Sequence, residues 1–299
     1  MICLVTGGCG FIGSNLVDAL IDDGNEVIVI DNLSTGKEDN LNLKANFCKV
    51  DIRYLDDIRP LFNRVNYVFH TAALPRVQPS IKDPITANDV NLNGTLNVLK
   101  AAKEACVDKV IYSASSSAYG NQAKMPLEED MKAAPLSPYG LQKYVGELYC
   151  KLFSEIYGLS TVSLRYFNVY GKRQALEGAY CLVIGIFVKQ RLNNEPMTII
   201  GDGKQRRDFT SVVDVVKANM LAAKSEVIKG EVINIGSGHN YSVNELAKMI
   251  GGPTINIPPI IEPKETLANN SLAQKLLGWQ PTVKLPKWIE KYKKDVGLT

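Results

Sequence analysis

Tyr139 and Lys143 lie four residues apart in the stretch SPYGLQK, residues 137 to 143. Ser137 suits a helix N-cap, Pro138 suits the first turn, and an apolar run follows. Residues four apart on a helix share a face. The pair therefore has two readings. It is an ordinary surface pair, or it is a phenol whose pKa is lowered by a neighbouring ammonium so that it can act as a base near neutral pH. Spacing alone does not choose between them.

A second group of residues bears on the choice. In VTGGCGFIGSNL, Gly8, Gly10 and Gly13 satisfy GxGxxG, and Gly7, Gly10 and Gly13 satisfy GxxGxxG. A strand-like run precedes the glycines and a helical run follows. Glycine permits the tight turn and lets backbone approach a pyrophosphate, and the helix beyond offers free N–H groups and a positive dipole end. Asp31 closes the next strand, VIVID, 18 residues past Gly13. A carboxylate there can accept the ribose hydroxyls of NAD and would repel the 2′-phosphate of NADP. The combination predicts dinucleotide binding, with NAD favoured over NADP.

The elements that must hold these residues follow an alternating rhythm. ICLVT, EVIVID, NFCKVD, YVFHTA, KVIYSA and STVSLRY read as strands. Helical patterns lie near 11–23, 54–63, 88–105 and 138–157. Near-continuous apolar strands separated by helices predict a parallel sheet covered on both faces, an α/β doubly wound architecture of Rossmann type. Later in the chain the rhythm breaks, although SVVDVVKANMLAAKS reads as a helix and EVINIG as a strand that returns to the main sheet. The expected division is a cofactor lobe of residues 1–166 plus 210–238 and a smaller α+β substrate lobe of residues 167–209 plus 239–299. A chain of 299 residues is long enough for both. The lysine-rich KWIEKYKKD stretch predicts the wet face of a last helix.

Composition excludes several classes. A net charge of +3 is too small to argue for nucleic acid or an anionic membrane. No apolar run approaches the roughly 20 residues of a membrane span, and the opening MICLVTGG reads as a strand entering a glycine turn, not a secretory leader. The six cysteines are scattered without CxxC spacing. That pattern favours thiols in a reducing cytoplasm over disulfides or a zinc site.

TGGCGFIG, DNLSTG, HTAAL, NLNGTLNVL, SASSSAYG, SPYGLQK, RYFNVYG and GDGKQRRDF occur in that order. Together they resemble the extended short-chain dehydrogenase/reductases, the NAD-dependent sugar-nucleotide epimerases and dehydratases, over essentially the whole chain. The resemblance implies that Tyr139 and Lys143 are catalytic, with Lys143 also binding the nicotinamide ribose. It implies that Ser115, four residues before Tyr119, hydrogen-bonds the reacting sugar oxygen. In dehydratases of this kind an Asp-Glu pair follows that position. Here Ser116 and Ser117 stand there, which argues for epimerisation at one carbon over loss of water. The resemblance further implies cofactor contacts at Phe11, Ile12, Asn32, Ser34, Asp51, Ile52, Ala72, Ala73, Leu74 and Asn91. His70 reads as structural.

On the substrate side the resemblance implies that Asn168 contacts the sugar or diphosphate. Arg207 would bind diphosphate, with Arg206 the weaker candidate. Lys264 stands where a second arginine is common and keeps the charge without the bidentate fork; Asn269 replaces a usual Asp. Thr266 stands where a residue lines the pocket near C2 of the sugar, and its small size implies acceptance of UDP-GlcNAc and UDP-GalNAc, with UDP-glucose and UDP-galactose also possible substrates. The implied reaction inverts C4 through a 4-keto intermediate, with NAD staying tightly bound. Two rivals remain. One is a UDP-glucuronate epimerase or decarboxylase, kept open by Arg76; the other is a catalytically silent NAD-binding sensor. Relatives of this kind are often dimers, for which the helices near 88–105 and 138–157 are the candidate interface.

Overall fold

The computed structural model describes residues 1–75, 77–176, 181–225, 229–260 and 262–298. Their central feature is a seven-stranded sheet. The first six strands in chain order are β1 (Ile2–Thr6), β2 (Glu26–Ile30), β3 (Asn46–Cys48), β4 (Tyr67–His70), β5 (Lys109–Ser115) and β6 (Thr161–Tyr166). The seventh, Glu231–Ile235, returns from the second half of the chain and pairs parallel with β6, as EVINIG predicts. Across the sheet the order is Glu231–Ile235, β6, β5, β4, β1, β2, β3, with every neighbouring pair parallel.

The strands are apolar on both faces because both faces are covered. Cys3 and Val5 of β1 pack with Leu16, Leu20 and Val215 on one side, while Leu4 packs with Val98, Leu99 and Phe153 on the other. Helices Phe11–Asp22 and Val212–Lys224 supply the first layer, and Gly94–Glu104 and Pro138–Tyr157 the second. The strand order reverses between β1 and β4. In open α/β sheets ligands bind beyond the carboxyl ends of the strands at such a switch point. The glycine loop leaves β1 there.

Two helical predictions are refined. The pattern over 54–63 forms a short helix, Leu55–Ile58, followed by a 3-10 turn, Arg59–Phe62. Pro60 lacks the N–H that a continuing helix would use. The pattern over 88–105 becomes Pro84–Asn88, a π-helical turn at Asp89–Asn93, and Gly94–Glu104. The wider turn carries Asn91.

A separate core gathers Tyr170, Phe187, Met197, Leu246 and Ile289 from the later segments. Small two-stranded sheets accompany it. Met197–Ile200 pairs parallel with Thr254–Ile257, and Arg206–Asp208 pairs antiparallel with Asn240–Ser242. Helix Val243–Ile250 starts on a capping box formed by Ser242 and Glu245. Asp214 ties the last segment to helix Val212–Lys224: its carboxylate accepts from Thr282 N–H, Thr282 Oγ1 and Val283 N–H.

Candidate active site

The glycine loop is a backbone device. Gly7 has φ +72, and a Cβ there would lie 2.8 Å from the Ala72 backbone. A Cβ on Gly13 would lie 2.2 Å from Gly7 O. Gly10 caps helix Phe11–Asp22 without a side chain, so the N–H groups of the first turn, where Phe11 and Ile12 stand, face outward. Asp31, beyond the end of β2, is buried against this loop. Its carboxylate accepts from Cys9 N–H at 3.0 Å and Leu33 N–H at 2.8 Å. Asn32 donates to Asp51 at 2.8 Å and accepts from Ser34 N–H. Asp51 is also gripped by Arg53 at 2.9 Å, which holds its carboxyl below the ordinary range despite partial burial. Ile52 fills the space beside Gly94. A side-chain-free cradle at a helix N-terminus, flanked by a carboxylate at the end of β2, fits a dinucleotide with an unphosphorylated ribose.

The segment after β4 closes over the same end of the sheet. Ala72 N–H donates to Thr6 Oγ1. Leu74 is clamped on both sides: its N–H donates to Asn91 Oδ1 at 2.8 Å, and its carbonyl accepts from Asn91 Nδ2 at 3.1 Å. Asn91 Nδ2 also donates to Gln142 Oε1 at 2.8 Å, on the helix that carries Tyr139 and Lys143. Ala73 sits between these anchors, half-buried.

His70 lies between two threonines. Thr95 Oγ1 already donates to Asn91 O, so it accepts from His70 Nε2; Thr6 Oγ1 donates to Nδ1. Both ring nitrogens are used by a neutral imidazole. Burial, and then the Lys143 charge, push its pKa down to about 3. The core thus holds His70 from both sides.

SPYGLQK opens helix Pro138–Tyr157. Ser137 Oγ accepts from Gly140 N–H at 3.1 Å. Ser80 Oγ accepts from Tyr139 N–H at 3.0 Å, a second cap that comes from a distant segment. Close packing seats the helix on β5. A Cβ on Gly146 would collide with the Tyr112 hydroxyl, and one on Gly140 would lie 2.6 Å from Ser117 O. The Tyr139 turn and the Ser115–Ser117 turn are therefore adjacent. Lys143 is buried, not on the surface. Its Nζ donates to Ser113 O at 2.7 Å and stands 4.9 Å from the centre of the Tyr112 ring. Burial lowers its pKa to about 8. The surface-pair reading of Tyr139 and Lys143 fails on this burial.

Ser115 is the last residue of β5. Its Oγ accepts from Ser117 N–H at 3.2 Å and donates to Ser117 Oγ at 3.1 Å. Ser116 starts the short turn that follows. A Cβ on Gly36 would meet the Asp31 carboxylate, so the DNLSTG loop folds back onto it.

The substrate-side residues converge around Arg206–Asp208. Arg207 is buried, and its Nη2 donates to Glu262 Oε2 at 2.7 Å. Burial lowers its pKa, against the pull of Glu262. Arg206 turns elsewhere, to Asn240 and Glu245. Asn168, at φ +30, donates to Asp208 O at 2.9 Å. Lys264 has an exposed side chain, and its carbonyl accepts from Arg206 N–H. Thr266 is buried, with Oγ1 accepting from Asp208 N–H at 3.3 Å. Asn269 donates to Glu128 at 3.1 Å. Arg76 lies outside the described residues. Glu262, Ser80 and Gln142 were not singled out in the sequence. Their roles depend on contacts 55, 59 and 51 residues away.

Residues 3–236 match the model of the NAD dependent epimerase/dehydratase family. The chain belongs to that family. Among solved structures it is similar to the UDP-glucose 4-epimerase of Thermotoga maritima with UDP-glucose, at 39% identity and TM-score 0.94, covering 99% of this chain and 100% of that one. It is similar to the UDP-N-acetylglucosamine 4-epimerase of Methanobrevibacter ruminantium in complex with UDP-N-acetylmuramic acid, at 39% identity and TM-score 0.90, covering 99% and 97%. It is also similar to the UDP-glucuronic acid 4-epimerase of Bacillus cereus in complex with UDP-glucuronic acid and NAD, at 35% identity and TM-score 0.90, covering 99% of each. The three share the UDP group and the 4-epimerase name and differ in the sugar.

Proposed function

We propose that this chain is an NAD-dependent UDP-sugar 4-epimerase that accepts UDP-GlcNAc and UDP-GalNAc, and to some extent UDP-glucose and UDP-galactose. The observation that carries the reading is the buried Lys143 ammonium on the Tyr139 helix, fixed to Ser113 two residues before Ser115. Tyr139, as phenolate, takes the proton from the sugar 4-hydroxyl, directly or through Ser115. Lys143 favours the phenolate by its charge. When bound, NAD supplies the acceptor and donor of the C4 hydride. Gly7, Gly10 and Gly13 admit its pyrophosphate, and Asp31 accepts from its ribose. Arg207 holds the substrate diphosphate while the 4-keto sugar turns its other face to the cofactor. Ser116 and Ser117 provide no carboxylate for loss of water. Thr266 leaves room for an N-acetyl group.

In this reading residues 1–166 plus 210–238 bind NAD, and 167–209 plus 239–299 bind the nucleotide sugar. No helix among the described residues is long and apolar enough to cross a membrane. The six cysteines are scattered without CxxC spacing, a pattern that suits a reducing cytoplasm. Leu141, Leu148 and Leu152 form an exposed stripe on helix Pro138–Tyr157, at 50%, 42% and 44% exposure, and Ile156 extends it. A second copy of this chain covering the stripe would make a homodimer, to be checked by sedimentation of Leu148→Glu beside the parent protein. The activity is tested by incubating the purified protein, without added NAD, with the four UDP-sugars named above and UDP-glucuronate. Turnover of the hexosamine pair, nearly abolished in Tyr139→Phe with NAD still bound, supports the reading. Absence of any epimer, or full activity in Tyr139→Phe, refutes it.

A further inference from the structure

Glu147 stands one helical turn past Lys143 on the same buried face. Arg165 on β6 grips its carboxylate with both edges of the guanidinium: Nε to Oε1 at 2.8 Å and Nη2 to Oε2 at 2.7 Å. The two side chains are 2% and 4% exposed. The Arg165 guanidinium lies 4.5 Å from the centre of the Tyr119 ring. Tyr119 is four residues past Ser115, and its hydroxyl donates to Asn234 Oδ1 at 2.7 Å. One side of the ion pair thus belongs to the helix of Tyr139 and Lys143, and the other leans on the turn that follows Ser115.

Stability does not explain such a pair. A fully buried ion pair loses most of its Coulombic gain to desolvation, and an apolar replacement of similar volume is often neutral or stabilising. What the pair supplies is direction: a bidentate fork stacked on an aromatic face permits one arrangement of three elements. We propose that Glu147 and Arg165 are positioning residues that fix the Tyr139–Lys143 helix against the Ser115–Ser117 turn. The proposal rests on the catalytic reading of Tyr139, Lys143 and Ser115.

Glu147 has a second effect on the same site. The titratable and charged groups around Lys143 are Tyr139, Glu147 and Cys150 on its own helix, Tyr112 on β5 and His70 on β4, with Arg165 behind Glu147. His70 is neutral, and burial pushes Cys150 up to about 12. Glu147 is the carboxylate of the set and helps keep Lys143 protonated.

The test is the double variant Glu147→Met/Arg165→Met in the NAD-loaded protein. It removes both charges together and keeps the volume apolar. We expect thermal stability, NAD content and UDP affinity near those of the parent. We expect kcat to fall roughly tenfold or more through lost alignment, with KM little changed. The alkaline limb of the pH–rate profile should move to lower pH, and so should the titration of the Lys143 side chain followed by ¹⁵N NMR. Glu147→Asp should recover part of kcat. A double variant with the parent's kcat, profile and Lys143 titration would overturn the proposal. If it does not fold, Tyr119→Leu, which keeps the ion pair and removes its stacking surface, carries the same expectation for kcat, and the parent's kcat there overturns it. If the parent itself turns over no UDP-sugar, the catalytic reading has failed; an unchanged Lys143 titration then overturns the role of Glu147 separately.

Discussion

Glu262 Oε2 accepts a hydrogen bond from Arg207 Nη2 at 2.7 Å, closing an ion pair on the one buried guanidinium proposed to hold the diphosphate. A buried cation without a partner is costly, and the Glu262 carboxylate supplies that partner. A diphosphate bound at this arginine, as proposed, would meet that carboxylate as a competing anion. Glu262→Gln should therefore tighten UDP binding by about 1 kcal/mol, roughly fivefold in Kd, and lower the melting temperature of the ligand-free protein. Calorimetric titration with UDP checks this; an unchanged or weaker Kd would show that Glu262 orients Arg207 and does not compete for it.

Lys143 carries a stability penalty. Its pKa is about 8 in the fold against 10.5 in the unfolded chain, because burial disfavours the cation. Between those values the unfolded state binds more protons, so this group's contribution to stability rises with pH across the window. Below about pH 8 the penalty is fully present, about 3 kcal/mol. Lys143→Met should raise the melting temperature most at pH 7 and least near pH 10.5, while turnover is lost. Melting curves over that range check the sign, and a destabilised variant at pH 7 would contradict it.

Asp31 holds two loop N–H groups as well as the site proposed for the ribose. Asp31→Ala should lose the co-purifying NAD and destabilise the protein by about 1–3 kcal/mol. Cofactor content by absorbance after denaturation, beside a melting curve, separates the two effects. Full NAD content in the variant would remove Asp31 from the cofactor site.

Thr266 is the residue proposed to set the sugar preference. Thr266→Tyr should cut turnover of UDP-GlcNAc by roughly tenfold or more, on the order of the 1–3 kcal/mol that a pocket's fit discriminates, and spare UDP-glucose. The ratio of the two kcat/KM values is the readout, since it cancels any general loss of activity. An unchanged ratio would show that the choice of sugar is made elsewhere.

Much of the architecture could be read from the sequence because it depends on residue types that few positions tolerate. The glycines after β1 are required by close backbone approach. Asp31 sits at a strand end fixed by apolar runs, and Ser137 with Pro138 marks the start of a helix. The departures have equally specific causes. Pro60 cuts one helix short, and the π turn around Asn91 is invisible to a 3.6-residue period. Glu262, Ser80 and Gln142 are residues of ordinary polar type whose partners lie far along the chain, so nothing in their local sequence distinguishes them from solvated surface. The burial of Lys143 belongs to the same class: the spacing to Tyr139 was readable, and the packing of Gly146 on Tyr112 that buries the ammonium was not.

In the proposed reaction hydride leaves and returns to C4 of a UDP-sugar within one active site. The direct measurement uses UDP-GlcNAc deuterated at C4, incubated with the purified protein in ordinary water without added NAD. The expected product is UDP-GalNAc that retains the C4 deuterium. Loss of the label to solvent, or no epimer from any UDP-sugar, would contradict it.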